Sequence, residues 1–253
     1  MKRCLIIELS ELSPFDIIQG SFSLTFVVIS IILGIIIISK YFKVKTRDYI
    51  LLGIGMIGMS NPWLPDAISF LMIIFLNSNL WPEISFIIGY AFLPFVVLCW
   101  LMAFTNLYYE EKQKITLIIF SIPFSILEIF FFYLLFTDST LIGTFVGPFQ
   151  IRWALFMNLF LLCLIAIVII TGILFTSQSI KSDNLEVKIK GKFLFVAFIS
   201  FTIAAIIESL FHLDPVTVVI TRSILISSAI EFYIGFILPK WIRNFFPSLS
   251  SKE

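Results

Sequence analysis

The first long apolar stretch of the chain, PFDIIQGSFSLTFVVISIILGIIIIS, occupies residues 14–39 and contains a single charged side chain, Asp16. A helix needs about 20 predominantly apolar residues to cross the hydrocarbon core of a bilayer, so this stretch is long enough. Its start is typical of a capped helix, because Ser13 precedes Pro14 and an acid follows the serine at the third position. The stretch therefore predicts a transmembrane helix.

The composition extends this prediction to the whole chain. Of its 253 residues, 60% are apolar and 13% are charged, and the mean hydropathy is +1.08. Soluble domains have about 45–50% apolar and about 25% charged residues, so a soluble enzyme, a secreted disulfide-rich protein and a disordered chain are excluded. We expect an all-α, polytopic integral membrane protein of the cell membrane, in which residues 1–253 form one seven-helix bundle in the lipid bilayer.

Polar breaks divide the chain into seven predicted spans. They lie at residues 14–39, 49–76, 84–109, 115–136, 151–176, 193–212 and 217–238. The second span contains Pro62 and Pro65, which lack the backbone donor that a helix requires. Two structures fit: a discontinuous helix around a substrate site, as in some transporters, and a bent helix whose outer end emerges among the lipid headgroups. The bent helix is the simpler expectation.

Basic residues are distributed unequally between the two ends of the predicted bundle. One end has 13 of them and the other has 4. The richer end carries Lys40, Lys43, Lys45, Arg47, Lys112, Lys114, Lys181, Lys188, Lys190, Lys192, Lys240, Arg243 and Lys252, and the poorer end carries Lys2, Arg3, Arg152 and Arg222. Because basic residues concentrate on the cytoplasmic side, the sequence predicts an external N-terminus and a cytoplasmic C-terminus.

Four ionisable residues lie deep within the predicted spans: Glu128, Glu208, Arg222 and Glu231. Asp66, Arg152 and His212 lie nearer the outer ends of their helices. Such residues are costly in hydrocarbon unless they are paired or hydrated. Glu208 and Arg222 each lie about 10 Å from the turn between the sixth and seventh spans, so we predict an ion pair that faces the bundle interior. Glu231 lies half a turn round the helix from Arg222. We expect it to form a hydrogen bond to a neighbouring serine or threonine, and a proton-coupled role is the alternative.

A wider group of polar and aromatic residues lies near the outer end of the predicted bundle. If their helix faces converge, they line a pocket open to the exterior, in which Arg222 suits an anionic ligand group. The simpler alternative is that the ion pair fixes the rotation of two helices. The candidate ligand-binding residues are Arg222, Glu208, Glu128, Arg152, Asp66, Tyr90 and Trp63, with His212, Asp214 and Trp153 nearby.

Other chemistry is not expected. Residues 53–58, GIGMIG, match the dinucleotide-binding fingerprint, but that fingerprint works between a strand and a helix. Inside an apolar span its glycines favour close helix packing. The three cysteines are widely separated and His212 is the single histidine, so neither a metal site nor a disulfide framework is predicted. We expect no cofactor, no enzymatic activity and, at a net charge of +1, no nucleic-acid partner.

The seven spans and the polar connector Ser182-Asp183-Asn184-Leu185-Glu186 before the sixth resemble the seven-helix N-terminal membrane sensor region of microbial histidine kinases. The resemblance covers most of the chain and rests on the pattern of spans. Twelve residues follow Trp241, so no kinase part is expected. The resemblance implies a receptor-like sensor module that takes a small ligand from the outside and signals through a separate cytoplasmic or membrane protein partner.

Two other functions fit the same pattern. A small secondary transporter is favoured by the prolines of the second span and by Glu231. A structural subunit of a larger membrane complex is the other alternative, in which the acids and Arg222 contact partner helices. A retinal protein is not expected, since no lysine lies deep in any predicted span.

Overall fold

Seven helical spans, each long and apolar enough to cross a membrane, dominate the computed structural model of the chain, which describes residues 9–211 and 214–246. They are Pro14–Val44, Asp48–Leu76, Pro82–Tyr108, Glu110–Thr137, Leu155–Ile180, Leu185–Leu210 and Pro215–Ile237. The predicted helical architecture is confirmed at this level, with one short β-hairpin as the exception. Four residues used in the predictions, Lys2, Arg3, His212 and Lys252, lie outside the described residues.

The described residues form ten α-helices and one pair of β-strands. The helices are α1 (Pro14–Val44), α2 (Asp48–Gly58), α3 (Leu64–Leu76), α4 (Pro82–Tyr90), α5 (Leu93–Tyr108), α6 (Gln113–Thr137), α7 (Leu155–Ile180), α8 (Leu185–Leu210), α9 (Pro215–Ile237) and α10 (Lys240–Arg243), and the strands are β1 (Gly143–Phe145) and β2 (Ile151–Trp153). The second span joins α2 to α3, and the third joins α4 to α5.

The predicted cap of the first helix is present. The Asp16 backbone N–H donates to Ser13 Oγ at 3.2 Å, and the Ser13 N–H donates to the Asp16 carboxylate at 3.0 Å. These two bonds satisfy backbone donors that the first turn of a helix leaves free. At its other end α1 continues to Val44, five residues beyond the predicted boundary, and Lys45 ends it in the left-handed conformation with φ 61°.

The second span is interrupted well inside its length. Helix α2 ends at Gly58, a 3-10 turn covers Asn61–Trp63, and α3 begins at Leu64. The interruption is where Pro62 and Pro65 remove two backbone donors from the helical hydrogen-bond pattern. Trp63 within it is buried, so the break lies inside the bundle and not in a helix end that emerges from it. The simple bend near the outer end is therefore not the structure observed.

The third span is also interrupted, which was not predicted. Helix α4 ends at Tyr90 and α5 begins at Leu93. Pro94 is the cause, because its missing N–H removes the bond to the carbonyl of Tyr90 one turn earlier. The two interruptions are in contact: the Tyr90 hydroxyl donates to the carbonyl oxygen of Pro62 at 3.3 Å. This bond gives the Pro62 carbonyl, which lies in the interruption of the second span, a hydrogen-bond donor from a side chain.

A β-hairpin replaces the predicted start of the fifth span. Strands β1 and β2 pair antiparallel, with Thr144 opposite Arg152, and α7 begins only at Leu155. The turn of the hairpin folds over one end of the bundle, where Gln19 Nε2 of α1 donates to the carbonyl oxygen of Phe149 at 2.7 Å. We call this the hairpin end. Because successive spans alternate in direction, it also carries the connectors before α1, between α3 and α4, and between α8 and α9.

The sixth span begins earlier than predicted, at Leu185 and not at residue 193. Asn184 caps it, since its side-chain oxygen accepts from the N–H of Glu186 at 2.9 Å. The lysines of residues 188–192, which predicted a loop, are part of the helix, because lysine is a good helix former. A helix end that extends beyond the apolar segment can carry charged side chains that reach water. The added turns lie at the opposite end, which carries the connectors 45–47, 109–112 and 181–184 and residues 238–246.

Close helix contacts explain the glycines of the GIGMIG stretch. Gly53 of α2 lies against Gly34 of α1 so closely that a Cβ on Gly53 would be 2.8 Å from the Gly34 carbonyl oxygen. Gly58 packs in the same way against Val96 of α5. Gly55, between them, has nothing within 4 Å of the position a Cβ would take. The interpretation of these glycines as packing residues is confirmed for Gly53 and Gly58.

Helix α6 stands apart from the other spans. It packs mainly on α5, whereas α8 and α9 pack on each other and α1 packs on α2, α3 and α9. Its outward side chains are highly exposed, Ile129 to 70%. An apolar side chain on a bundle surface is favourable only against lipid or another apolar surface. The six spans other than α6 therefore form the central part of the bundle, in which the candidate site lies.

Candidate functional site

Three charged side chains meet inside the bundle near the hairpin end. Arg222 of α9 is only 2% exposed, and its Nη1 lies 3.3 Å from Glu208 Oε2 of α8. Its Nη2 lies 3.6 Å from Asp66 Oδ2 of α3. The predicted pair of Glu208 and Arg222 is therefore present, and Asp66 is added to it from α3, which packs on α1 as α9 does. We call Asp66, Glu208 and Arg222 the charged cluster.

Trp63 completes the wall beside the charged cluster. Its indole Nε1 donates to Glu208 Oε2 at 2.7 Å, and the Arg222 guanidinium carbon lies 5.4 Å from the centre of its ring. The proximity is typical of a cation–π contact, which is stronger when the pair is removed from water. Trp63 belongs to the 3-10 turn of the second span, so the helix break places the indole where it contacts both charges.

Two side chains of α1 support Asp66. Ser23 Oγ donates to Asp66 Oδ2 at 3.4 Å, and Gln19, one helical turn earlier, lies in the same wall of the bundle. Both are buried, at 0% and 3% exposed. Neither was among the predicted site residues. Their spacing of four residues places them on one face of α1 and was the available signal. Ser21 and Thr25 have the same spacing on a more exposed face, so the spacing by itself does not single out Gln19 and Ser23.

A cavity of about 200 Å³ lies next to the charged cluster. Its polar part is formed by the cluster with Trp63 and Gln19, and its deeper part is apolar and aromatic, formed by residues such as Trp100, Phe198 and Phe232. Gly55 lines it as well, which explains the open space at that glycine. Tyr90 and Trp153 also line it, and the centres of their two rings are 4.7 Å apart. A cavity with a few polar groups and a largely apolar wall is typical of small-molecule sites.

The cavity reaches only one end of the bundle. Phe149, Gln150 and Ile151 of the hairpin line it, and so does Phe211 after α8. None of the described residues in the connectors 45–47, 109–112 and 181–184 at the opposite end contributes to its lining. Both interruptions contribute, through Pro62 and Tyr90. The broken spans therefore shape a cavity directed toward the hairpin end.

Several donors in the charged cluster have no acceptor. Arg222 Nε and Nη1 are buried and lack a hydrogen-bond partner, because the contact between Nη1 and Glu208 is ionic but poorly aligned for a hydrogen bond. Buried polar groups in native proteins are nearly always hydrogen-bonded, and those that are not commonly face water or a ligand. Since Arg222 lines the cavity, these donors are consistent with a site that receives polar atoms from outside the chain.

Of the seven candidate ligand-binding residues, five line the cavity: Arg222, Glu208, Asp66, Tyr90 and Trp63. Glu128 and Arg152 do not. Glu128 lies on α6, outside the six spans that surround the cavity. Arg152 is exposed on β2, where its neighbours Ile151 and Trp153 line the cavity. Successive side chains of a strand point to opposite faces, so the hairpin directs Arg152 away.

Glu231 and Asp214 have local partners instead. Ser227 Oγ donates to Glu231 Oε1 at 2.9 Å, as expected for a serine one turn earlier, and Glu231 does not line the cavity. Asp214 caps α9, where its Oδ1 accepts from the Thr217 N–H at 2.7 Å, and this bond lowers the pKa of the exposed carboxyl. His212 lies outside the described residues.

Comparison of the sequence with known protein families found no family model that matches it, and comparison with curated proteins found no match either.

Proposed function

We propose that this chain is a receptor-like sensor module of the cell membrane, which binds a small molecule in its cavity and signals through a separate partner protein. The observation that carries the proposal is the one-ended cavity with a charged cluster in its wall. A cavity that reaches one end suits a protein that detects a ligand on that side. Five of the candidate ligand-binding residues line it.

The charged cluster contains more charge than a structural role requires. One acid opposite Arg222 is enough to fix the rotation of α8 against α9, yet Asp66 is present as a second acid. Burying ions costs free energy even when they are paired, so a second buried carboxylate lowers the stability of the fold unless a bound group compensates its charge. Such residues in membrane proteins commonly mark functional sites. The second acid therefore favours a binding role.

A path from the cavity to the opposite end runs through α8 and α9. Glu208 near one end of α8 pairs with Arg222 of α9, and Glu186 near the other end of α8 pairs with Arg243 of α10 at 3.2 Å. A ligand that displaces Glu208 from Arg222 would shift α8 relative to α9, and the ion pair between Glu186 and Arg243 would transmit this shift to the opposite end. We propose that the basic residues 40–47 and 181–192 at this opposite end form the surface that a partner protein reads.

The proposed orientation places the hairpin end outside the cell, and it follows from the excess of basic residues at the opposite end. In a variant without Cys4, Cys99 and Cys163, we expect Thr140→Cys to react with a membrane-impermeant thiol reagent in intact cells. We expect Asp183→Cys to react only after the membrane is permeabilised. The reverse pattern contradicts the orientation and places the cavity mouth on the cytoplasmic side.

Access to the cavity tests the sensor proposal directly. In proteoliposomes of the same cysteine-free variant, Ser209→Cys should react with the impermeant reagent added at the hairpin end, because Ser209 lines the cavity. Ser30→Cys is the matched control, since Ser30 is 1% exposed and does not line the cavity, and it should stay unreacted. If Ser209→Cys reacts no faster than Ser30→Cys, the cavity is not open and the proposal fails.

A small secondary transporter is the second candidate, and the two interrupted spans favour it. Transporters commonly form their substrate sites from discontinuous helices, and here both interruptions border the cavity. The same labelling separates the two functions. Alternating access exposes Ser209→Cys to reagent added at the opposite end, whereas a sensor cavity admits reagent from the hairpin end alone.

A further inference from the structure

The charged residues of the cavity lining carry a net negative charge. Among the described residues, the lining contains three charged side chains: Asp66, Glu208 and Arg222. With both acids ionised their formal sum is one negative charge. An unneutralised charge in a low-dielectric interior is strongly unfavourable, so the site is completed when a proton or another cation balances it.

The acids are more accessible than the cation. The side chains of Asp66 and Glu208 are each 12% exposed, whereas the Arg222 side chain is 2% exposed. Arg222 is held between the two carboxylates and the ring of Trp63. A ligand that enters from the hairpin end therefore meets carboxylate oxygens. Arg222 Nε and Nη1 lack an acceptor, but Glu208 Oε1 lacks a donor as well, and it belongs to the more exposed of the two side chains, so the ligand meets this oxygen first.

Aromatic rings surround the same space. Trp63 and Tyr90 line the cavity next to the charged cluster, Trp153 lines it at the hairpin, and Trp100 lines its deeper part. Aromatic faces attract ammonium groups through their electron-rich centres, and they pack against apolar parts of a ligand. Carboxylates and aromatic faces together are the chemistry that recognises organic ammonium ions.

We infer that the cavity binds an organic cation, a small amine with an apolar or aromatic body, whose ammonium group pairs with Glu208 and Asp66 and whose body lies against the tryptophans. This assignment rests on the proposed ligand-binding function, and it replaces the expectation of an anionic ligand at Arg222. The ligand cation supplies the positive charge that the cluster lacks.

Three probes of nearly the same shape and different charge test the assignment: phenethylammonium, phenethyl alcohol and phenylpropanoate. Their binding to the purified protein in detergent is measured by thermal shift and by quenching of tryptophan fluorescence. We expect saturable binding of phenethylammonium that is about tenfold or more tighter than that of the other two, since a charge-assisted contact is worth at least one factor of ten.

Glu208→Gln gives the decisive variant. It should weaken phenethylammonium binding about tenfold or more while the protein stays folded, because Asp66 and Arg222 remain as a balanced pair and the amide oxygen still accepts from Trp63. Asp66→Asn is the second variant of the same kind. Glu231→Gln is the matched control, since this acid lies on α9, nine residues after Arg222, and does not line the cavity, so the change should leave binding unchanged.

The outcomes separate this assignment from the proposed function. Phenylpropanoate or phenethyl alcohol bound as tightly as the amine overturns the cation assignment and keeps the binding cavity. Amine binding that is equally reduced by Glu231→Gln, or unaffected by both Glu208→Gln and Asp66→Asn, also overturns it. If no probe binds although Ser209→Cys reacts from the hairpin end, the cation assignment is wrong while the cavity remains open. If Ser209→Cys is also unreactive, both proposals fail.

Discussion

Arg222→Met should lower the free energy of unfolding by about 3–5 kcal/mol, because it removes the cation from a buried charged cluster and leaves Asp66 and Glu208 facing each other uncompensated. Trp63 also loses the guanidinium that lies over its ring. The measurement is reversible unfolding in mixed micelles of mild detergent and dodecyl sulfate, followed by tryptophan fluorescence. An effect below about 1 kcal/mol, the size expected for an exposed ion pair, contradicts the buried cluster.

Two further variants separate charge imbalance from lost packing. The triple variant Asp66→Asn, Glu208→Gln, Arg222→Met removes all three charges and keeps similar side-chain volumes, so it should recover most of the stability lost in Arg222→Met. Arg222→Lys keeps the charge but lacks a planar group that reaches both acids at once, so its stability should be intermediate. If the triple variant is as unstable as Arg222→Met, the loss is one of packing and the electrostatic explanation is wrong.

Gly53→Ala should destabilise the protein by about 1–3 kcal/mol through overpacking between α1 and α2. The added Cβ would lie 2.3 Å from Ile38 Cγ1 and 2.8 Å from the carbonyl oxygen of Gly34. Ile38 has a flexible side chain, but the Gly34 carbonyl is backbone and cannot move without separating the helices. The same unfolding measurement reports the loss.

Gly55→Ala is the matched control in the same motif. Nothing lies within 4 Å of its added Cβ, and alanine is the better helix former by about 0.8–1.0 kcal/mol, so this variant should be as stable as the natural protein or slightly more stable. Equal losses at Gly53 and Gly55 would show that the glycines are needed for a reason other than the α1–α2 contact.

Part of the candidate site follows from local geometry. Glu208 and Arg222 are nearly equidistant from the turn between α8 and α9, and a constant rise per residue then places them level with each other. The arithmetic predicted their equal depth, and the rotation of the two packed helices, which brings the side chains to 3.3 Å, came from the tertiary structure. Ser227 and Glu231 are another local case, since residues four apart share a helix face.

The rest of the site depends on contacts between distant segments. Asp66 joins the cluster because α3 and α9 both pack on α1, and Trp63 reaches it because the second span is interrupted. The position of Arg152 depended on a strand of three residues, which is too short to give a recognisable alternation. The break at Tyr90 had a signal in Pro94, but proline in a membrane helix is compatible with a kink as well as a break.

The amino-acid sequence by itself determined that this is a bundle of seven long apolar helices, because hydrocarbon admits only segments that satisfy their own backbone and are apolar over about 20 residues. Only the tertiary structure decided which helix faces meet. A lipid-facing helix surface is as apolar as a surface that contacts another helix, so the sequence of α6 does not indicate that this helix lies away from the cavity. For the same reason, the packing of α3, α8 and α9 that brings their charged side chains together is visible only in the structure.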